Sequence, residues 1–158
     1  MNAPLTPVSL AELRALPEGK EWLVEQRIAE LESLTPVRGQ VLAIHHGNAL
    51  EVRGEAQTIV TLCCARCLQQ YNHGLRAEVQ ELIEFRGGSG LQGEDLDDRL
   101  DPMGQFDPER WLFEQLSLQL PLVNRCGSDC PGPARWGTAP TTADPRWEAL
   151  KALSQPSA

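Results

Sequence analysis

Four of the five cysteines fall in two close pairs, Cys64-Ala65-Arg66-Cys67 and Cys126-Gly127-Ser128-Asp129-Cys130. Two thiolates three residues apart can grip one metal ion on a tight turn, but a tetrahedral site needs two more ligands. The second pair is the one place in the chain that offers them. With 58 residues between Cys67 and Cys126, such a site would not be a compact ribbon. It would clip a late segment to an early one, shortening the loop it closes. All four positions would be filled by protein, a structural role with no coordination site left for chemistry. The spacing therefore predicts one structural zinc on Cys64, Cys67, Cys126 and Cys130. The same residues also read as reduced, partly buried thiols that need no metal.

C-x-x-C is also a redox motif, but there the first cysteine opens a helix whose N-terminus lowers its pKa. Here a β-branched run, Val60-Thr61-Leu62, leads into the pair and no helix start follows, so thiol oxidoreduction is disfavoured. Cys63, the odd thiol, points away from Cys64 on a strand. His45 and His46 are adjacent and take opposite faces, so they cannot ligate together. No acid/base pair, phosphate-cradling glycine loop or Ser-His-Asp spacing is present, and the reading is non-enzymatic.

Strands and turns must position the pairs. Ser9-Leu10-Ala11-Glu12 is a capping-box pattern opening a short helix with Leu10, Leu13 and Leu16 on one face. Residues 22–31 fit both periods and lean to strand. A clearer strand covers 37–46, with Val41 and Ala43 on one face and Leu42 and Ile44 on the other. Gly47-Asn48 reads as a hairpin turn, residues 49–52 as the return strand, and Gly54 as a bend into a strand over 55–64. Residues 71–85 supply one or two more strands. Asp107-Pro108-Glu109 starts a helix with Leu112, Phe113, Leu116 and Leu120 inward and Pro121 as its stop. Asp144-Pro145-Arg146-Trp147 starts a last one, with Trp147, Leu150 and Leu153 inward. Consecutive strands on short turns imply a meander. The fold class is α+β: an antiparallel meander, open sheet or partly closed barrel, carrying a C-terminal helix pair and a short N-terminal helix.

With 158 residues, 41% hydrophobic and 23% charged, the chain is read as one globular domain with a flexible acidic loop at about 87–105. No signal peptide or membrane span is visible, which places it in the cytoplasm, where thiols stay reduced. Net charge is −8, and the stretch from Glu78 to Glu114 alone carries eleven acids against three arginines. Bulk charge thus opposes non-specific nucleic-acid binding. The acidic stretch reads as a solvated loop, or as a contact for a basic protein through residues 94–101. Arg53, Arg66 and Arg76 lie around the first pair, and Arg125 and Arg135 flank the second. Closure of the site would let these five gather into a phosphate-binding face; otherwise they are ordinary surface arginines.

Cys64-Ala65-Arg66-Cys67-Leu68-Gln69-Gln70-Tyr71, the acidic stretch, Asp107-Pro108-Glu109-Arg110-Trp111-Leu112-Phe113-Glu114-Gln115-Leu116, Leu120-Pro121, Cys126, Cys130 and Asp144-Pro145-Arg146-Trp147 together resemble the YceD family. The likeness runs from near Thr58 to Leu153, and the form is similar to the cyanobacterial and plastid branch. Tyr71 stands where the family more often has phenylalanine. The resemblance implies a non-enzymatic role in 23S rRNA maturation or accumulation and large-subunit assembly. It implies precursor 23S rRNA, or a basic ribosomal protein, as partner. The family's four cysteines fall on Cys64, Cys67, Cys126 and Cys130.

Overall fold

The computed structural model describes residues 4–86 and 99–133. In chain order these form β1 (Val8–Ser9), α1 (Leu10–Arg14), β2 (Lys20–Gln26), β3 (Val37–His45), β4 (Ala49–Cys63), β5 (Gln70–Glu84), β6 (Gln105–Phe106) and α2 (Pro108–Ser117). Strands β2-β3-β4-β5 make one antiparallel sheet in sequence order, and β1 pairs with β6 separately. Among the described residues the meander is therefore an open sheet, with β2 and β5 as edges that do not pair with each other, not a barrel. The expected last helix, from Asp144, lies outside the described residues, so of the expected helix pair only α2 is described.

Local chemistry sets the ends of the elements. Ser9 accepts the Glu12 amide at 3.1 Å and caps α1. The Glu12 carboxylate pairs with Lys20 at 3.0 Å. Asp107 accepts the amides of Glu109 and Arg110 at 3.0 and 3.2 Å, with Pro108 beginning α2. Gly47, at φ 74°, turns β3 into β4 in a conformation where a Cβ is strained. The His46 amide closes that turn on the Ala49 carbonyl at 2.8 Å.

Alternation dictates the two faces. On β4, Leu50, Val52, Ala56, Thr58 and Val60 are buried, while Arg53, Glu55, Gln57 and Ile59 face solvent. The helices lie on the buried face, α1 against β3 and α2 across β4 and β5. Leu10, Leu13, Val37, Val41, Leu50, Val52, Leu112 and Leu116 are the centre of the core.

Four expectations need correction. Gly54 is not a bend: β4 is one strand of 15 residues. A Cβ on Gly54 would lie 2.6 Å from the Trp111 ring, so the glycine lets the indole approach the strand closely. The inward stripe of α2 is Trp111, Leu112 and Leu116, with Phe113 half-buried and Leu120 exposed, because the helix stops at Ser117 before Leu120 can complete another turn. Leu16, past the end of α1, is likewise exposed. Of residues 22–31, only those up to Gln26 are strand.

The feature that positions the cysteines is an overhang. Strand β3 pairs with β4 only from Leu50 to Gln57, whereas β5 follows β4 to Cys63. Beyond Gln57 the β4–β5 hairpin runs on as an arm of six residues per strand, about 20 Å. Its root is braced by the segment before β3: the Leu34 amide donates to the Ile59 carbonyl at 2.7 Å, and the Ile59 amide to Thr35 Oγ1 at 3.1 Å. The cysteine turn forms its tip.

Candidate metal centre

At the tip, β4 ends on Cys63, whose side chain is exposed, and Cys64 turns inward to complete burial. The Cys64 amide bonds the Gln69 carbonyl at 2.9 Å, and the Leu68 amide bonds the Cys64 carbonyl at 2.9 Å. Leu68 takes φ 61°, a left-handed conformation that costs a branched residue roughly 1–2 kcal/mol. That turn points main-chain N–H groups at sulfur: the Arg66 amide lies 3.4 Å from Cys64 Sγ.

The second pair arrives on the chain that leaves α2. Asn124 docks it, its carbonyl accepting the Ala65 amide at 2.8 Å. Gly127, at φ 129°, then turns the chain so that Cys126 and Cys130 both face the tip. Cys67 Sγ lies 3.7 Å from Cys126 Sγ, and Cys64 Sγ lies 3.9 Å from Cys130 Sγ. All four sulfurs fall within 4.8 Å of one another. A tetrahedron of thiolates about 2.3 Å from a zinc ion has edges of about 3.8 Å. The sulfurs thus fit a four-thiolate metal site. They are not in disulfide contact, for all five cysteines are free.

The thiols differ in acidity. The Cys64 thiol is lowered to about 6, chiefly by the Cys67 amide and then by those of Arg66 and Cys126. The Cys126 thiol is pushed up to about 12, first by burial and then by bonds to Cys130, Cys67 and Cys64. At Cys67 the Gln69 amide favours the thiolate, but burial and the bond with Cys64 outweigh it and raise the pKa. Amide dipoles thus prepare one thiolate, and four negative charges this close need a cation to coexist.

His45 and His46 stand apart from the cluster. His45 stacks near Phe85 with centroids 5.0 Å apart, and His46 bonds Glu51 at 2.7 Å.

The arginines are less unified than the cysteines. Arg66 lies within the turn and Arg125 beside Asn124, so these two share the tip, both exposed. Arg76 stands on the outer face of β5 opposite Gln57, at the root of the arm, 3.8 Å from Glu78. Arg53 is ten residues back from Cys63 along β4, roughly 33 Å, and is held by Glu51 at 2.6 Å. Arg135 lies outside the described residues.

Sequence reasoning missed two features here. Asn124 carries no signature, because its role lies in its main-chain carbonyl. The charge of the arm was legible and overlooked: residues 56–77 contain Arg66 and Arg76 and no acid.

The class of protein is thus an open meander whose projecting hairpin and late segment converge on four cysteines able to hold one metal ion. A family model described as Large ribosomal RNA subunit accumulation protein YceD matches residues 52–154, which include all four cysteines. The chain belongs to this family. Comparison with curated proteins and with solved structures returned no match. No helix among the described residues is long and apolar enough to cross a membrane.

Proposed function

We propose that the protein is a non-enzymatic, cytoplasmic factor in large ribosomal subunit assembly, promoting maturation or accumulation of 23S rRNA. Family membership over residues 52–154 carries this reading. The metal is zinc, held by Cys64, Cys67, Cys126 and Cys130; when bound it neutralises the thiolates and cross-links the arm to the segment after α2.

The arm is the surface that meets precursor rRNA. With no acid between residues 56 and 77, Arg66 at the tip and Arg76 at the root are joined by Arg125 and opposed by Glu78 and Asp129, a milder balance than the net charge of −8 carried by the whole chain. Three phosphate contacts give a shallow salt dependence, a slope of about −2 to −3 in log affinity against log salt. Arg53, paired to Glu51, is surplus to this surface.

Sucrose-gradient fractionation tests the reading. The protein migrates with large-subunit precursors, and Arg66→Glu with Arg125→Glu releases it. Recovery only in particle-free fractions, or unchanged migration of the double variant, contradicts the rRNA-contact account.

A further inference from the structure

Strand β5 has a second edge whose main-chain groups the rRNA reading does not use. The β4–β5 register is continuous from Ala49↔Glu84 to Cys63↔Gln70, so the main-chain groups of odd-numbered residues face β4 and those of even-numbered residues face outward. The bonds at both ends agree: Gln69 and Phe85 bond toward β4, whereas Glu84 and Arg86 bond outward, to Leu100. Leu100 makes one parallel bridge there, opposite Phe85. Among the described residues the outward N–H and C=O groups of Arg76, Glu78, Gln80 and Leu82 then have no strand beside them. An open row of this kind is a template for an added strand.

Beside the edge lies a cavity of about 640 Å³ between β5 and α2. Glu81, Ile83, Phe106, Asp107, Trp111 and Glu114 line it. Glu81 is held there by the Trp111 indole at 2.7 Å and Gln115 at 3.3 Å, and Arg110 at the cavity is engaged by Glu114 at 3.0 Å. A long cation entering this space meets carboxylates and two aromatic rings, the surroundings that hold a guanidinium.

We infer that the outer edge of β5 over residues 76–82 takes up an extended basic segment of a partner protein as a fifth strand, with one of its arginine or lysine side chains in the cavity against Trp111. Charge selects this occupant. Along the edge Glu78 and Glu84 are matched by Arg76 and Arg99, with Arg86 just beyond the strand, while the cavity itself holds Glu81, Asp107 and Glu114 against Arg110 alone, so the excess of negative charge lies in the cavity. A second copy of the chain would bring the same acidic end against itself. The main chain supplies affinity without sequence, while alternate side chains facing the cavity supply the preference for a cation.

The test uses the full zinc-loaded chain and a short synthetic peptide alternating arginine with valine. Residue-resolved amide hydrogen exchange is measured with and without it. Exchange at Arg76, Glu78, Gln80 and Leu82 slows by about tenfold or more, while the odd-numbered amides already bonded to β4 change little. Methylating alternate peptide nitrogens removes the effect. Glu81→Gln with Glu114→Gln, which keeps side-chain size and the acceptor for Trp111, weakens binding about tenfold. Equal binding of the methylated peptide, protection falling on β2 instead, or no protection at all overturns the inference. So does a dimer of the free chain that protects the same amides, for a second copy would then be the occupant. Arg66→Glu, at the other end of the molecule, leaves peptide binding intact, so the rRNA reading and this one fail separately.

Discussion

The two ends of the β4–β5 hairpin are held by different physics. At the helical end four strands lie side by side, and Leu50, Val52, Trp111, Leu112 and Leu116 are buried between sheet and helix. At the arm only two strands remain, Leu62, Tyr71 and His73 are half-exposed, and the tip is fixed by four sulfurs within 4.8 Å. A two-stranded ribbon has too little apolar surface to stand alone. Four cysteines whose sulfurs could hold one metal ion stand where that core is missing. Charge divides the same way, with the excess of acids near the helical end and none in the arm between residues 56 and 77.

If the ends are independent, damage to one should leave the other standing. Leu116→Ala opens a cavity under α2 and should cost about 2–5 kcal/mol in chemical denaturation, with metal content unchanged. Loss of metal in that variant would merge the two ends. Gly54→Ala should cost about 1–3 kcal/mol by pushing the Trp111 ring off the sheet, read as a shift in its fluorescence and a lower denaturation midpoint. At the tip the sign reverses. Leu68→Gly relieves the left-handed strain and should gain up to about 1 kcal/mol, seen as slower exchange of the Cys64 and Leu68 amides.

A pH profile of the chelator-treated chain probes the tip without any substitution. Between about 6 and the ordinary thiol value of 9.0, Cys64 is ionised folded but protonated unfolded. Its contribution is therefore full above 9.0 and lost as pH falls through about 6. Cys126 acts oppositely: between 9.0 and about 12 only the unfolded chain releases its proton, so stability falls again. Denaturation midpoints should peak near pH 9 without metal. A flat profile would show that the amide dipoles do not reach the Cys64 sulfur.

The tip was the more legible end in the sequence. Paired cysteines at short spacing, preceded by a β-branched run, state both a turn and a ligand set. Strand faces were equally plain, since alternation in residues 58–64 survives into the structure without a bulge. What one dimension hides is who packs on whom. Gly54 looks like a bend until Trp111, 57 residues later, is seen resting on it. Leu120 looks like a core residue if the helix is carried as far as Pro121, yet α2 ends at Ser117 and Trp111 takes the inward place. Arg53, expected around the first pair, stands ten residues from Cys63 because β4 runs unbroken through Gly54.

The most direct test is metal analysis joined to thiol titration of the full chain purified without chelator. One zinc per chain is predicted, with Cys63 alone reacting until chelator frees the other four thiols. Cys63→Ser should keep the metal, and Cys67→Ser with Cys126→Ser should lose it. A metal-free protein with all five thiols open to reagent, or zinc retained by the double variant, would contradict a thiolate centre joining the arm to the segment after α2.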